Sequence, residues 1–132
     1  MAIPTLTPHR RILVVDENSD MATSLVYLLE IMGHQALYLS DPRHALTKVD
    51  EFRPHVAFVD IGAASPDGNN LATVLRDHYA RHELRLVALS AYGDTRTSNQ
   101  RMTAGFDAYL TKPVKEEDVR TVLGVVLDAR LA

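Results

Sequence analysis

Ile12-Leu-Val-Val-Asp16-Glu17 places four consecutive aliphatic residues directly before two carboxylates. A short, uninterrupted apolar run of this kind is typical of a strand that is buried on both faces of a parallel sheet. Comparable runs recur along the chain, at 36–39, 56–59, 84–89 and 108–110. The sequence therefore predicts five strands, most of them covered on both faces.

Amphipathic segments separate these runs and predict helices. Leu25, Leu28, Leu29 and Met32 recur at helical spacing, and Gly33 ends that pattern. Asp41-Pro42 predicts the beginning of a second helix, because aspartate caps a helix and proline fits its first turn. Further apolar stripes follow on Ala45, Val49 and Phe52, on Leu71, Val74, Leu75 and Tyr79, and on Val119, Val122, Leu123 and Val126.

The fourth predicted helix, at 94–104, has the weakest helical signal. It is rich in threonine, serine and asparagine, which have low helix propensity, and Met102 is its only large apolar residue. Strands that alternate with helices five times predict an α/β fold. We expect a doubly wound parallel sheet with helices on both faces and right-handed crossovers.

The 132 residues suit one domain, which we expect to span 11–132 after a flexible arm at 1–10. Hydrophobic residues make up 46% and charged residues 23%, which is typical of a globular domain and not of a disordered chain.

The net charge of −3 argues against direct binding of nucleic acid. No cysteine is present, which excludes disulfides and thiolate sites. The lack of a long apolar run argues against a membrane span and favours a cytoplasmic location.

Polar residues stand at the ends of four of the five predicted strands. Asp16 and Glu17 follow the first, Asp60 the third, Ser90 the fourth and Lys112 the fifth. Because ligands bind at the carboxyl ends of such strands, we expect these side chains to converge. Three clustered carboxylates repel one another unless a cation lies among them, and oxygen ligands favour Mg²⁺ over zinc. A cation, a lysine and a hydroxyl together neutralise and orient a phosphoryl group, so the site indicates formation of an aspartyl phosphate.

Four motifs follow one another in order: Ile-Leu-Val-Val-Asp16-Glu17-Asn, Asp60-Ile-Gly with Asp67-Gly68 after it, Ala-Leu-Ser90-Ala, and Gly105-Phe-Asp-Ala-Tyr109-Leu-Thr-Lys112-Pro113. With these motifs, residues 11–130 resemble response-regulator receiver domains, the CheY-like family. The last two motifs are similar to those of receivers attached to hybrid sensor histidine kinases. The resemblance implies a flavodoxin-like (βα)5 fold with strand order 2-1-3-4-5 and a role in two-component signal transduction.

The resemblance implies that Asp60 accepts a phosphoryl group from a phosphohistidine, on a sensor histidine kinase or a histidine phosphotransfer protein. Asp16 and Glu17 would hold Mg²⁺, together with Asp60 and the backbone carbonyl of Gly62. The domain would catalyse only its own phosphotransfer and slow dephosphorylation, and would not be an enzyme in the wider sense. The sequence does not identify the output partner.

Three further residues take implied roles from the same resemblance. Lys112 would contact the phosphate, and the Lys112–Pro113 peptide bond would be cis. Ser90 would move to hydrogen-bond the phosphate, and the Tyr109 rotamer would follow Ser90. Because the fourth predicted helix has the weakest helical signal, we expect it to shift most, and the face formed by it, the fifth strand and the last helix to be the partner surface.

Two positions depart from the usual receiver pattern. Glu17 stands where an aspartate is more usual, so its carboxylate reaches one methylene further and can alter the affinity for the metal. The loop after Asp60 carries Ala64 in place of the usual proline, and Pro66 follows two residues later. The first difference bears on the metal affinity expected from the family, and the second bears on the expected geometry of the loop after Asp60.

The sequence leaves other interpretations to weigh. A receiver-like interaction module that never carries phosphate is the main alternative, and the presence of all five polar site residues disfavours it. An FMN-binding flavodoxin needs a glycine-rich phosphate loop where this chain has carboxylates. A dehalogenase-type phosphohydrolase needs a second aspartate at the position of Gly62, and a dinucleotide-binding domain needs Gly-x-Gly-x-x-Gly, which is absent. His78 and His82 have the spacing of a metal pair, but without a third ligand a solvated helix end is favoured.

Overall fold

The computed structural model describes residues 9–61, 67–90 and 105–127, and for 67–70 the backbone only. Its strands are β1 (Arg11–Val15), β2 (Gln35–Leu39), β3 (Val56–Asp60), β4 (Arg85–Ser90) and β5 (Ala108–Thr111). The helices of the described ranges are α1 (Ser19–Ile31), α2 (Ala45–Phe52), α3 (Asp67–His78) and α4 (Glu116–Val126), with a 3-10 turn at Pro42–His44. Thus α4 is the last predicted helix. The fourth predicted helix and residues 1–8 of the predicted arm lie outside the described residues.

The five strands form one parallel sheet in the order β2-β1-β3-β4-β5, which confirms the predicted doubly wound topology. The register places Val15 beside Val59, and Val59 beside Ala88. Ser90 lies beside Thr111 in the last pair. Strands β1, β3, β4 and β5 therefore end near one level, so the residues that follow them meet at one edge of the sheet.

Two hydrophobic cores cover the two faces of the sheet. Helices α1 and α4 pack over one face, in a core that includes Ile12, Val14, Leu25, Leu29, Phe58, Leu89, Val122 and Leu123. Helices α2 and α3 pack over the other, in a core that includes Leu13, Val49, Ala57, Ile61, Leu75, Leu86 and Phe106. Alternate residues of the central strands point into opposite cores. This arrangement explains why those strands are apolar at every position.

The central strands β1, β3 and β4 are buried, as predicted for most of the strands, whereas the edge strands β2 and β5 are partly exposed. Leu37 and Tyr38 of β2 and Tyr109 of β5 are exposed, because an edge strand has a neighbour on one side only and its helices cover it incompletely. An apolar run therefore does not distinguish a central strand from an edge strand. Val74 is also exposed, although it was predicted on the buried stripe of α3. It precedes the buried Leu75 by one residue and so lies about 100° away around the helix.

The ends of the early helices follow from local chemistry. The side chain of Asn18 accepts a hydrogen bond from the Met21 backbone N–H and begins α1. Gly33 follows that helix with a φ of +97°, a conformation that favours glycine. The Asp41 carboxylate accepts the backbone N–H of Arg43 at 2.9 Å, which confirms the predicted cap before Pro42. No helix in the described ranges is long and apolar enough to cross a membrane.

A polar clamp joins α3 to the start of β5. Asp107 accepts hydrogen bonds from the Arg76 guanidinium at 2.6 Å and from the Leu86 backbone N–H at 2.8 Å, and Arg81 pairs with its other oxygen. Arg76 also donates to the carbonyl of Gly105 at 3.0 Å. Gly105 has a φ of +99°, and a Cβ there would lie 2.8 Å from Cγ of Arg76. We refer to Arg76, Arg81, Gly105 and Asp107 as the Asp107 clamp.

Candidate functional site

The structure brings Asp16, Asp60 and Lys112 together at the carboxyl edge of the sheet. The Lys112 ammonium donates to Oδ2 of Asp16 at 2.9 Å and to Oδ1 of Asp60 at 3.2 Å. Asp16 directly follows β1, Asp60 is the last residue of β3, and Lys112 directly follows β5. The Lys112 side chain therefore extends past the end of β4 to reach the two carboxylates.

This arrangement holds Lys112 in its charged form. Burial lowers the pKa of the ammonium, but the hydrogen bond and the charge of Asp16, followed by the charge of Asp60, outweigh that effect and raise the pKa overall. The Asp16 carboxylate is fully buried, whereas the Asp60 side chain keeps 13% of its surface exposed. Asp60 is therefore the more accessible of the two carboxylates that share the ammonium.

The orientation of Asp16 is fixed on both sides. Its Oδ1 accepts the backbone N–H of Asn18 at 2.9 Å, while Oδ2 accepts from Lys112. The backbone N–H of Asp16 donates to the carbonyl of Leu39 on β2. The strand-end pattern predicted that Asp16 belongs to the site, but it missed this support from Asn18. The spacing Asp-x-Asn before a helix is the signal that could have indicated it, because aspartate commonly accepts from the backbone two residues ahead.

Glu17 lies apart from this cluster. It is exposed and lines an open depression of about 500 Å³ with Ser40, Asp41, Pro42 and Arg43. Within residues 9–61, 67–90 and 105–127, no three acidic or histidine side chains are grouped so as to hold a metal ion. Gly62 lies outside the described residues. Asp16 and Asp60 are thus the predicted metal ligands that the described structure places side by side.

The chemistry of these two ligands fits a small, hard cation. Asp16 and Asp60 offer carboxylate oxygens close enough to share one ammonium. Mg²⁺ is commonly held by one or two carboxylates and completes its shell with water and phosphate oxygens. The two aspartates can therefore contribute to such a site.

Ser90, the last residue of β4, is hydrogen-bonded to β5, the strand that carries Tyr109. The hydroxyl of Ser90 is buried and donates to the carbonyl of Leu110 at 3.2 Å, and the Lys112 backbone N–H donates to the carbonyl of Ser90 at 2.8 Å. Tyr109 pairs in register with Ala88 and is 38% exposed. Ser90 thus lies at the predicted edge, with its hydroxyl bonded to the strand that leads to Lys112. The Lys112–Pro113 bond is cis, as expected.

The histidines contribute no metal centre among the residues described. His78 and His82 are exposed, and Nδ1 of His78 contacts the carbonyl of Val74 within its own helix. This agrees with the prediction of a solvated helix end. The sequence patterns did not single out His34 and His55, whose rings accept the backbone N–H groups of Arg10 and Arg11 at the start of β1.

Comparison with known proteins supports the resemblance. The sequence model of the response regulator receiver domain family matches residues 12–124. The DNA-binding response regulator MtrA of Mycobacterium tuberculosis is 32% identical over 113 residues, which cover 86% of this chain and 48% of MtrA. Protein RcaC of Microchaete diplosiphon is 30% identical over 105 residues, or 80% of this chain and 16% of RcaC. The chain thus spans half or less of these relatives.

Solved structures share the whole fold. The signal receiver domain of a response regulator from Bermanella marisrubri has a TM-score of 0.77 at 25% identity, covering 89% of this chain and 98% of that one. A putative response regulator from Chloroflexus aurantiacus has a TM-score of 0.81 at 23% identity, covering 91% and 98%. With the family match, the strand order and the polar cluster at the carboxyl edge, the chain belongs to the response regulator receiver domains of two-component systems.

Proposed function

We propose that Asp60 is the phosphoacceptor of this receiver and that the reaction depends on Mg²⁺. The observation that carries the proposal is the shared ammonium of Lys112, which bonds Asp16 and Asp60 at the end of the sheet. Asp60 is the more exposed of these two carboxylates, so an incoming phosphoryl group can reach it. Asp16 is completely buried and suits a supporting role.

In the proposed reaction, a carboxylate oxygen of Asp60 attacks the phosphorus of a phosphohistidine on a sensor histidine kinase or phosphotransfer protein. An O–P bond forms, the N–P bond breaks, and the imidazole leaves with the bonding electron pair. Asp16 and Asp60 would hold Mg²⁺, with Glu17 and the Gly62 carbonyl as the further candidates. When bound, the metal supplies positive charge to the phosphoryl oxygens.

The chain's own residues would then redistribute their contacts. Phosphorylation turns the Asp60 carboxylate into an acyl phosphate, so the negative charge moves outward onto the phosphoryl oxygens. Lys112 already lies 3.2 Å from Oδ1 of Asp60 and can pair with one of those oxygens. Asp16 keeps the ammonium in place from the other side. The positive charge is therefore positioned before the phosphate arrives.

Ser90 supplies the proposed switch. Its hydroxyl donates to the carbonyl of Leu110, and a phosphoryl oxygen is a stronger acceptor for the same proton. A move of Ser90 toward the phosphate would release Leu110 and leave room for Tyr109 to change rotamer. The output surface in this proposal is the face of β5, α4 and the segment 94–104, the last of which lies outside the described residues. Its partner is not identified, and we place the domain in the cytoplasm with its kinase.

Labelling with a small phosphodonor tests the site. We expect acetyl phosphate and Mg²⁺ to add one acid-labile phosphate per chain, detected by mass spectrometry, and a chelator to prevent it. Asp60→Asn should abolish the label, whereas Asp20→Asn, an exposed acid in the first turn of α1, should not.

Two outcomes would contradict the proposal. A stoichiometric label that survives Asp60→Asn would move the phosphoacceptor to another residue. A wild-type chain that takes no phosphate, from acetyl phosphate or from a purified histidine kinase, would favour a receiver-like module that acts without phosphorylation.

A further inference from the structure

Two histidines lie at the end of the sheet opposite Asp60, outside the site described above. His34 directly precedes β2 and His55 directly precedes β3, and these two strands flank β1. His34 is buried and His55 is half-buried. Their positions place one imidazole on each side of the start of β1.

Each imidazole accepts a backbone hydrogen bond from the start of β1. The Arg10 N–H donates to Nδ1 of His34 at 3.2 Å, and the Arg11 N–H donates to Nδ1 of His55 at 3.0 Å. The carbonyls of Arg10 and Arg11 accept from the backbone N–H groups of Gln35 and His55. The two rings therefore extend the ladder of β1 on both sides, where a side-chain nitrogen takes the place of a carbonyl oxygen.

These bonds require the neutral form of both rings. A ring nitrogen accepts a hydrogen bond only when it carries no proton, so each neutral ring must carry its proton on Nε2. A protonated imidazole has N–H groups at both positions. Protonation of His34 would therefore point its Nδ1–H at the N–H of Arg10, and protonation of His55 would do the same at Arg11. In each case a hydrogen bond would become an unfavourable contact between two donors.

The surroundings of His34 also oppose a positive charge. Burial lowers the pKa of His34, and the charges of His9, Arg10 and Arg120 lower it further. Arg120 reaches this region from α4 and is itself paired with Glu116 at 3.0 Å. The Nε2–H of His34 is buried without a hydrogen-bond partner among the described residues, in the neutral tautomer as in the charged form, so this atom does not distinguish the two.

His55 has a comparable environment. Burial lowers its pKa, and the charges of Arg11, Arg10 and His9 add to the effect, while a backbone hydrogen bond with Arg11 opposes it without outweighing it. A small cavity of about 110 Å³ beside the ring is lined by both signs of charge, from Arg11, Arg53 and Glu83, and by Tyr79. The pKa of His55 is lowered although Glu83 lines the same cavity.

We propose that His34 and His55 form an acid-sensitive clasp, which holds the start of β1 while both rings are neutral and releases Arg10 or Arg11 when its ring is protonated. The remaining ladder of β1, up to Asp16, does not depend on these rings. A fall in pH would therefore loosen the beginning of the central strand while the paired part of the sheet persists.

The sign of the pH dependence follows from the lowered pKa values. The clasp contributes its full stability above the usual histidine pKa of about 6.5, and the contribution is lost as pH falls through the folded-state values. At one pH unit below 6.5, protonation of each histidine should increase the ratio of the released to the held state by up to about tenfold over its value at neutral pH.

NMR on the full chain tests the clasp directly. At pH 7.5 we expect the imidazole nitrogens of His34 and His55 to show the Nε2–H tautomer, with Nδ1 unprotonated. Protection factors for the Arg10 and Arg11 amides, corrected for intrinsic exchange, should fall by up to about tenfold per histidine at pH 5.5. Amides in the middle of β1 should keep their protection.

Matched variants separate the clasp from general acid sensitivity. Asparagine keeps an acceptor oxygen near the position of Nδ1 but does not titrate, so His34→Asn with His55→Asn should flatten the pH dependence at Arg10 and Arg11. His82→Asn, an exposed histidine, should leave it unchanged. An unchanged pH profile in the double variant would overturn the proposal. If that variant does not fold, the wild-type rings decide: an Nδ1–H tautomer or charged rings at pH 7.5 would overturn it equally.

Discussion

At the scale of single residues, the ammonium of Lys112 is the positive charge shared by the carboxylates of Asp16 and Asp60. The clustering of carboxylates at strand ends indicated that positive charge must lie among them. In the structure, Lys112 supplies that charge to Asp16 and Asp60, while Glu17 lies apart. Lys112 therefore serves the folded state as well as the proposed phosphate contact, because without it Asp16 would be a buried carboxylate beside a like charge.

Replacing Lys112 should expose this role. Lys112→Met keeps the apolar stem and removes the ammonium, so we expect the free energy of unfolding at pH 7 to fall by about 2–3 kcal/mol in the presence of chelator. Millimolar Mg²⁺ should reduce that loss, because a cation bound only by the folded state stabilises it. Urea unfolding measures both effects, and Lys115→Met, an exposed lysine, is the control.

The pKa of Lys112 sets the pH dependence of the same variant. Because the folded state raises this pKa, the stabilisation by Lys112 is fully present below the usual lysine value of about 10.4. It is lost as pH rises through the folded-state pKa. The stability difference between wild type and Lys112→Met should therefore shrink at strongly alkaline pH. A difference that grows with pH would contradict the ion pairs.

At the scale of elements, the Asp107 clamp explains how α3 and β5 keep their places. One carboxylate receives hydrogen bonds from two arginines and from the backbone of β4, and it lies directly before the strand that leads to Lys112. Gly105 is required beside it for two reasons, a positive φ and the closeness of Arg76. The strand ends that define the site thus depend on contacts made at the other end of the sheet.

Two glycine substitutions should have opposite effects. Gly105→Ala should lower the free energy of unfolding by about 1–2 kcal/mol, because alanine is strained at positive φ and its Cβ meets Arg76. Gly124→Ala should raise it by about 0.5–1 kcal/mol, because Gly124 lies inside α4 with open space at the Cβ position. Parallel urea titrations of the two variants give the comparison. Equal effects at the two sites would show that the clamp does not restrict position 105.

At the scale of the whole molecule, the pattern of apolar runs and strand-end polar residues predicted the sheet, its two covered faces and the convergence of Asp16, Asp60, Ser90 and Lys112. These features follow from local sequence because the topology brings all carboxyl ends to one edge. The exposure of Tyr38, the Asp107 clamp and the hydrogen bonds of His34 and His55 to the backbone were not predictable in this way. They depend on which strand lies at the edge, and on contacts such as Arg76 with Asp107 that join residues 31 positions apart.

The proposed route of the signal can be tested across the molecule. Ser90→Ala should leave Asp60 phosphorylation largely intact but reduce the change that beryllofluoride, a phosphate mimic, causes in amide exchange over 105–112. The reason is that the Ser90 hydroxyl would no longer exchange the Leu110 carbonyl for the phosphate. Ser24→Ala, an exposed serine of α1, serves as the control. A full response in Ser90→Ala would mean that the output does not pass through this hydroxyl.

The Asp107 clamp also has a mechanical consequence. Strand β5 is anchored just before its first residue, whereas Lys112, just beyond its last, carries the contacts to Asp16 and Asp60. The four residues between them span about 13 Å, so β5 is held at one end by the clamp and at the other by contacts that depend on the charge of Asp60. In the proposed function, a change of charge at Asp60 reaches this far end of β5 through Lys112, whose backbone N–H also bonds the carbonyl of Ser90 at 2.8 Å. We therefore expect phosphorylation to shift the Lys112 end of β5, next to the beginning of α4, more than the end held by Asp107.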